Sequence, residues 1–307
     1  MTLDSDKIKE FAHAAGFTLC GIAPARVLAE HAPRFAAGLA ASGDRALHYL
    51  ADRPERRLDP SHLVPGARSV IVCAVNYRNR YSGGYPDGFS GPKVCSYSIS
   101  TEYQPKMKAM LSGVLERLKA DVPELSGRAF CDTSAILEKA WAVEAGLGWI
   151  GRNSLLVNPG HGSFLLLGEL VVDAACDRYD APYEGPGCGE CRRCMDACPA
   201  GAMPRERTID TGRCISALTI EKVREPSGPE LLHGWIYGCD ECQNACPYNN
   251  GRPQCSEPLF DPVFDPLDFP AERWREMTGD EFRDTFAGTP LLRTGLERIK
   301  KILPREK

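Results

Sequence analysis

Eight cysteines fall in two runs whose spacing is suited to holding metal clusters. The first run, CGECRRCMDACP, has the pattern C-x2-C-x2-C-x3-C-P, and the second repeats the ending C-x2-C-x3-C-P after one cysteine far upstream. In bacterial ferredoxins such spacing lets three thiolates hold one [4Fe-4S] cluster while the fourth ligates another. We therefore predict two [4Fe-4S] clusters, with the ligands Cys188, Cys191, Cys194, Cys198, Cys214, Cys239, Cys242 and Cys246.

The exchange of the fourth ligand predicts two mixed sets. One cluster would be held by Cys188, Cys191, Cys194 and Cys246, and the other by Cys214, Cys239, Cys242 and Cys198. The alternative is a pair of zinc sites, which need only two CxxC pairs per metal and give no reason for a third cysteine in register or for the Cys-Pro endings. Cys255 lies beyond the motif, and we expect it to hold no metal.

Two neighbouring clusters transfer single electrons, so we expect them to deliver electrons to a substrate or cofactor. A long stretch of another kind of sequence precedes the cysteines, so we expect it to bind what is reduced. The alternative is an electron-transfer protein with no catalytic site of its own.

Strands alternate with helices along that preceding stretch. Helices are predicted over 5–15, with Ser5 as a possible cap, and over 106–121, and a third from about Ser134. Buried strands are predicted over 69–77, 128–132 and 164–172. The pattern indicates an α+β fold with an α/β-like front domain over 1–182, a ferredoxin-like double-cluster module over 183–255 and a helical segment over 256–307 that packs on the body.

Composition excludes several other classes of protein. The chain has 307 residues, 43% of them hydrophobic, a formal net charge of -4, and neither a signal peptide nor an apolar run long enough for a membrane span. Fourteen cysteines in a chain of this size favour metal over disulfides. We expect a monomer in the cytoplasm. The basic last stretch, PLLRTGLERIKKILPREK, could contact phosphates, or its charges could be the solvated face of a docking helix.

Nearly the whole chain resembles the epoxyqueuosine reductases. The resemblance is carried by HYLADRPERRLDPSHLVPGARSVIV, DTSAILEKAWAVEAGLGWIGRNSLLVNPGHGSFLLLGEL, RCISALTIEK, GCDECQNACPYN and DEFRDTFAGTPLLRTGLERIKK. It implies a cobalamin-binding front domain, conversion of epoxyqueuosine to queuosine at the tRNA wobble position, and an external electron donor such as a flavodoxin or ferredoxin. A related corrinoid reductase with a different substrate is the alternative.

The resemblance also implies roles for individual residues. Asp132 matches the family's acid for the leaving oxygen, although from the residues alone it could be the cap of the following helix. The positions that match the family's cobalamin pocket are Arg57, Cys95, Asn153, Ser163, Ser216 and Asp240. Each residue also has an ordinary interpretation. Arg57 could be a surface ion-pair partner, Cys95 a small buried thiol, Asn153 and Ser163 turn residues, Ser216 a hydroxyl beside a cluster, and Asp240 a solvent-facing spacer.

One segment departs from the family's pattern. The family has Ser-Arg-Tyr-Ala followed by Asp-Tyr-His, whereas this chain has CSYSISTEYQ, with Ser96 for the arginine, Glu102 for the aspartate and Gln104 for the histidine. Glutamine cannot titrate near neutral pH as histidine does. In addition, Ala217 replaces the tyrosine of the family's Cys-Ile-Ser-Tyr. These changes at the substrate-facing rim are the reason for keeping a different substrate as the alternative, while conversion of epoxyqueuosine in tRNA stays the first expectation.

Overall fold

The front of the molecule is built around one antiparallel sheet. The computed structural model describes residues 2–42, 48–226 and 228–304. The sheet has the order β2-β3-β8-β5, and its three pairings are antiparallel. The α+β class is therefore confirmed. The strands are β2 (Leu19–Pro24), β3 (Ser69–Asn76), β5 (Gly127–Phe130) and β8 (Leu165–Val172).

Helices cover both faces of this sheet, which explains why every residue of β3 is buried. On one face lie α1 (Ser5–Ala14) and α5 (Tyr103–Asp121), which contribute Ile8, Met107 and Leu111 to a shared core. On the other face lies α6 (Glu138–Glu144), with Trp141 fully buried. Apolar residues therefore alternate between two cores along the strands.

Two helix starts differ from the sequence-based expectation. Ser5 is not the cap of α1, because Asp4 accepts hydrogen bonds from the backbone N–H groups of Asp6 and Lys7. Helix α5 begins at Tyr103 rather than at residue 106, with Pro105 in its first turn. A proline is tolerated there because that N–H has no intrahelical partner.

The third predicted helix also starts later than expected. Strand β5 ends at Phe130 and α6 begins at Glu138, with Leu137 as its N-cap residue. Residues between them turn sharply, and Asp132 has φ 58°, in the left-handed region. Asp132 is therefore not the helix cap, and the cap interpretation is wrong.

The cysteine-rich region is joined to the front domain through a small parallel strand pair. Strand β10 (Trp235–Tyr237) pairs with β4 (Lys93–Val94). Two single-turn helices, α7 (Arg193–Asp196) and α8 (Glu241–Asn244), carry cysteines from the two runs and pack against each other. A π-helical turn covers Ala217–Glu221.

The C-terminal helices share a core with β10 and the π-helical turn. Phe282, Phe286 and Leu296 are buried in this core with Trp235 and Leu218. The helices are α9 (Ala271–Glu276), α10 (Gly279–Thr285), α11 (Leu291–Thr294) and α12 (Leu296–Ile302). The other described elements are β1 (Thr2–Leu3), α2 (Ala32–Ser42), α3 (His48–Ala51), α4 (Pro54–Leu58), β6 (Trp149–Ile150), β7 (Leu156–Val157) and β9 (Ala175–Cys176).

The basic C-terminal stretch docks on the body. Ile299 and Leu303 are buried, Arg293 forms an ion pair with Glu221 at 2.8 Å, and Arg298 pairs with Glu225. This is the geometry of a docking helix with a charged outer face. Arg305 and Lys307 lie outside the described residues. Among the helices that the structure describes, none combines the length and apolar character needed to cross a membrane.

Candidate active site and cluster centres

The cysteines of the first run meet a cysteine of the second. Cys188, Cys191, Cys194 and Cys246 line one small cavity, which we name the first thiol group. Trp149 donates a hydrogen bond from Nε1 to the Sγ of Cys188 at 3.4 Å. Such N–H···S contacts are a usual means of tuning an iron-sulfur cluster.

The remaining four cysteines form a second thiol group, made of Cys198, Cys214, Cys239 and Cys242. Burial, followed by the charges of Cys214, Asp240, Cys194 and Cys198, raises the pKa of Cys242, and the charge of Cys198 likewise acts on Cys214. The backbone N–H of Ala202 donates to the Sγ of Cys198 at 3.3 Å. Each run therefore sends one cysteine, Cys198 or Cys246, towards the set that is remote in sequence.

The spacing of the thiols differs from that of a zinc site. Tetrahedral zinc with Zn–S bonds of about 2.3 Å would bring its sulfur atoms to about 3.8 Å from one another. Within the described residues, the one group of three or more His, Cys, Asp or Glu ligand atoms lying mutually within 4.8 Å is Glu30, His31 and Glu144. Arg26 already bonds both of those glutamates. No three cysteine sulfur atoms of the described residues therefore lie mutually within 4.8 Å, so the thiols are farther apart than the ligands of a tetrahedral zinc ion.

Burial of these thiols fits an iron-sulfur cluster. Burial raises the pKa of Cys194 to about 11 and raises that of Cys239 further. Thiolates in such surroundings need a cationic partner, which cluster iron supplies. Cys255 lies elsewhere, partly buried against the core of the front domain, with its Sγ directed at the carbonyl of Glu257 at 3.6 Å.

Asp132 is exposed and held from two sides. Its backbone N–H donates to Oε1 of Glu138 at 2.5 Å, and its Oδ2 accepts a hydrogen bond from Nε2 of Gln104 at 3.0 Å. The left-handed backbone of a non-glycine residue is uncommon and is typical of active sites when surrounding contacts hold it. The hydrogen bonds to Glu138 and from Gln104 hold Asp132 in this conformation.

Two adjoining cavities share Asp132 as part of their walls. One has a volume of about 440 Å³ and combines apolar side chains such as Phe35 and Ile136 with Glu138. The other, of about 670 Å³, is bordered by Gln104 and by the Glu221–Arg293 ion pair. Cavities of this size accept cofactors and substrates.

Arg57 lies at the junction of these cavities. It is buried, it lines both of them with Tyr49 and Asp132, and it donates from one Nη to the carbonyl of Tyr49 at 2.9 Å. Its Nε has no partner among the described residues. Burial lowers the pKa of Arg57. An unsatisfied, buried guanidinium facing a cavity fits a polar group of a bound cofactor, and the surface ion-pair interpretation does not hold.

Three tyrosines lead from the second thiol group towards Asp132. Tyr237, two residues before Cys239, contacts Tyr97 with ring centroids 6.3 Å apart, and Tyr97 contacts Tyr103 edge to face at 5.9 Å. The charge of Asp132 is one cause, after burial, of the raised pKa of Tyr103. Three aromatic rings in successive contact therefore lead from the residue pair Tyr237–Cys239 towards Asp132.

Asp240 is fixed in the layer between the second thiol group and the front domain. It is buried, and its Oδ2 accepts hydrogen bonds from the backbone N–H and the hydroxyl of Ser96, at 2.6 and 2.8 Å. Cys95 is buried next to it. Asp240 is therefore not a solvent-facing spacer, and Ser96, at the family's arginine position, is one of its partners.

The other three positions of the expected cobalamin pocket lie elsewhere. Asn153 lines the cavity of the first thiol group, and its Oδ1 accepts from the N–H of Leu155, as in a turn. Ser163 donates to Oε1 of Gln243 at 3.0 Å in a buried polar network. Ser216 lies beside Cys214, towards which its N–H is directed. Arg57 alone of the six borders the cavities at Asp132.

Two carboxyl groups near Asp132 were not singled out from the sequence. Glu138 borders the smaller cavity, and burial raises its pKa to about 7. Glu169, in β8, is completely buried, and neither carboxyl oxygen has a partner within the described residues. A lone glutamate inside the apolar run FLLLGELVV was the feature that could have revealed it.

Comparison with known proteins agrees with this layout. Residues 57–133 match the family model described as epoxyqueuosine reductase QueG, DUF1730, and residues 187–249 match the 4Fe-4S double cluster binding domain. An epoxyqueuosine reductase of Cyclobacterium marinum is 37% identical over 297 residues, which are 96% of this chain and 94% of that protein. This chain belongs to the epoxyqueuosine reductase family.

Solved structures extend the comparison. A crystal structure of an epoxyqueuosine reductase with an epoxyqueuosine-modified tRNA-Tyr stem loop superposes with a TM-score of 0.82 at 25% identity, covering 96% of this chain and 78% of the other. A catabolic reductive dehalogenase, at 17% identity and TM-score 0.52, covers 82% of this chain and 32% of its own length, and shares the fold alone. The epoxyqueuosine reductase family thus accounts for both the front domain and the cysteine module.

Proposed function

We propose that this protein removes the epoxide oxygen of epoxyqueuosine at the tRNA wobble position and so forms queuosine. The observation that carries the proposal is the placement of Asp132 on the wall of two cavities, with three tyrosines in successive contact leading towards it from the second thiol group. Family membership over nearly the whole chain supports the same reaction.

The eight cysteines are proposed to hold two [4Fe-4S] clusters with exchanged fourth ligands. Their mixed grouping and burial support this assignment. Electrons from a flavodoxin or ferredoxin would enter at the first thiol group and leave from the second, because Cys239 of the second group follows Tyr237 by two residues and Tyr237 contacts Tyr97. Residues 183–255 then act as the electron path, while residues 1–182 bind cobalamin and substrate and residues 256–307 close the far side.

When bound, cobalamin would supply a low-potential metal centre able to accept single electrons and to react with a substrate carbon. Arg57 is proposed to bind a polar group of this cofactor, because its Nε is buried and unsatisfied at the cavity. Asp132 is proposed to give a proton to the leaving oxygen. Gln104 and Glu138 orient Asp132 for this step. A monomer acting in the cytoplasm, where tRNA is available, completes the proposal.

The direct test is conversion of epoxyqueuosine-containing tRNA by anaerobically reconstituted protein supplied with cobalamin and a reductant. We expect queuosine in digests of the tRNA by mass spectrometry, and none when cobalamin is omitted. Iron and sulfide near about eight each per chain would establish that both clusters are present. Protein with normal clusters and bound cobalamin that forms no queuosine would contradict the proposed function.

A second candidate is a related reductase acting on another substrate. Gln104 in place of the family's histidine favours it, because this side chain contacts Asp132 directly. Cobalamin binding without tRNA activity, followed by activity when Gln104→His is introduced, would support this candidate. Two clusters without any uptake of cobalamin would instead indicate an electron-transfer protein with no catalytic site.

A further inference from the structure

The reaction under the proposed function consumes two protons, whereas one carboxyl group such as that of Asp132 can deliver only one proton at a time. Removal of an epoxide oxygen as water takes two electrons and two protons, and the carbon–oxygen bonds are replaced by a carbon–carbon double bond and the two O–H bonds of water. The clusters, refilled by the external electron donor, supply the electrons. Asp132 must therefore be reprotonated during each turnover or be assisted by another acid.

Glu138 is placed to meet this need. Its Oε1 accepts the N–H of Asp132 at 2.5 Å, and both side chains border the same cavity of about 440 Å³. A water molecule in such a cavity can connect two carboxyl groups. Burial, and after it the charge of Asp132, holds the pKa of Glu138 at about 7, whereas the bonded N–H and Lys139 act in the opposite direction. A carboxyl group of this kind is partly protonated at neutral pH.

The groups that face Glu138 come from every element packed against it. Around the carboxyl lie Asp132 and Cys131 from the β5–α6 loop, Tyr103 from α5, Glu169 from β8 and Lys139 from its own helix. The ammonium group of Lys139 is engaged by the carbonyl of Ser154 at 2.7 Å. Farther along the cavity wall are the imidazole of His31, the guanidinium groups of Arg34, Arg57 and Arg207, and the phenol of Tyr49.

Glu169 lies near Glu138 on the side of the sheet. Glu169 in β8 pairs with Phe130 in β5, and Phe130 lies two residues before Asp132. The carboxyl group of Glu169 is fully buried and has no hydrogen-bond partner among the described residues. Burial, and after it the charge of Glu138, raises the pKa of Glu169 well above the usual range. The sheet side of Glu138 therefore holds a second carboxyl group, which burial keeps protonated, whereas Lys139 of the same helix is the cation that favours the carboxylate form of Glu138.

We propose that Glu138 stores the second proton of the reaction and returns it to Asp132 between the two proton transfers to the epoxide oxygen. Asp132 first protonates the oxygen as the carbon–oxygen bond breaks, then receives the proton of Glu138 through cavity water, and then completes the water molecule. Glu138 regains its proton from solvent. This role rests on the proposed function.

A merely structural role for Glu138 can be separated from this one. Glu138→Gln keeps an Oε1 that accepts the N–H of Asp132 but has no carboxyl proton to give. We expect wild-type queuosine formation to slow as pH rises through about 7, since Glu138 then loses its proton. In E138Q the rate falls on the order of a hundredfold and this pH dependence disappears. The exposed Glu116→Gln is the matched control and behaves as wild type.

A second measurement does not depend on turnover. In protein labelled with ¹³C at the glutamate carboxyl carbon, one signal titrates near pH 7 in the wild type and is missing from E138Q. The inference is overturned if no such signal exists, or if E138Q in an active protein keeps the rate and pH profile of wild type. If wild-type protein with both clusters and cobalamin forms no queuosine, the proposed function fails and this inference fails with it.

Discussion

Gln104 donates a hydrogen bond from Nε2 to Oδ2 of Asp132 at 3.0 Å, so the residue that departs from the family's pattern contacts the proposed acid. The two residues belong to different elements, the first turn of α5 and the loop after β5. A neutral amide in this position orients the carboxyl group without bringing a second titrating group to it.

Replacement of Gln104 by histidine is expected to add a pH dependence that the wild type lacks. Protonated imidazole favours the carboxylate form of Asp132, which cannot donate a proton, so the rate of Q104H should fall relative to wild type below about pH 6.5. The pH profile of queuosine formation measures this. Gln254→His, at an exposed position, is the control and should change nothing. Identical pH profiles for Q104H and wild type would contradict a role of the side chain at position 104 in the reaction.

Asp132→Asn should abolish most of the activity while leaving the molecule intact. The amide keeps the acceptor for Gln104 but has no acidic proton, and loss of a general acid typically costs about 10²- to 10⁴-fold in rate. Single-turnover rates, together with cluster content and tRNA affinity, check the expectation. An active D132N variant would assign the proton to another group.

Removal of one crossing cysteine should damage the cluster that is remote in sequence. Cys246→Ala deprives the group of Cys188, Cys191 and Cys194 of its fourth thiol, although Cys246 follows Cys239 and Cys242 along the chain. EPR spectra of the reduced protein should show loss of one signal in C246A and of the other in C198A. Cys255→Ala is the control, because that thiol lies against the front core. Loss confined to the locally encoded cluster would argue against ligand exchange.

Glu169→Gln should stabilise the protein at high pH and have little effect at low pH. In the folded state burial keeps Glu169 protonated, whereas in the unfolded chain it ionises above about pH 4.3, so wild-type stability falls as pH rises above that value. The uncharged variant lacks this loss. The difference in the free energy of unfolding between E169Q and wild type, measured by denaturant titration, should grow from pH 5 to pH 8 by up to about 1.4 kcal/mol per pH unit. A constant difference would mean that Glu169 is ionised in the folded protein.

Local pattern was enough to predict the double-cluster domain and the main strands, because cysteine spacing and strand burial act over short distances in the chain. The start of the helix that follows β5 was harder to predict. The helical periodicity of SAILEKAWAVEAG suggested a start near Ser134, but the left-handed Asp132 and the bond to Glu138 delay it to Glu138. Such a start depends on one tertiary contact rather than on propensity.

Contacts between distant segments could not be predicted from the sequence. Gln104 and Asp132 meet only because α5 packs on the sheet that carries β5. Similarly, the resemblance grouped Arg57 with Asn153 and Ser163, whereas the structure places these three side chains at the Asp132 cavities, at the first thiol group and in a buried polar network. A resemblance transfers residue types to positions, but the distances between them follow from packing.

The parallel pair of β4 and β10 has a consequence for synthesis on the ribosome. Lys93 and Val94 leave the exit tunnel long before their partners Trp235 and Tyr237, and Cys95 bonds through its N–H to the carbonyl of Tyr237 at 2.8 Å. Pairing between segments so far apart forms late in folding. In the nascent front domain, β4 and the segment after it therefore stay unpaired until most of the cysteines have been translated. An incomplete chain offers tRNA no completed site.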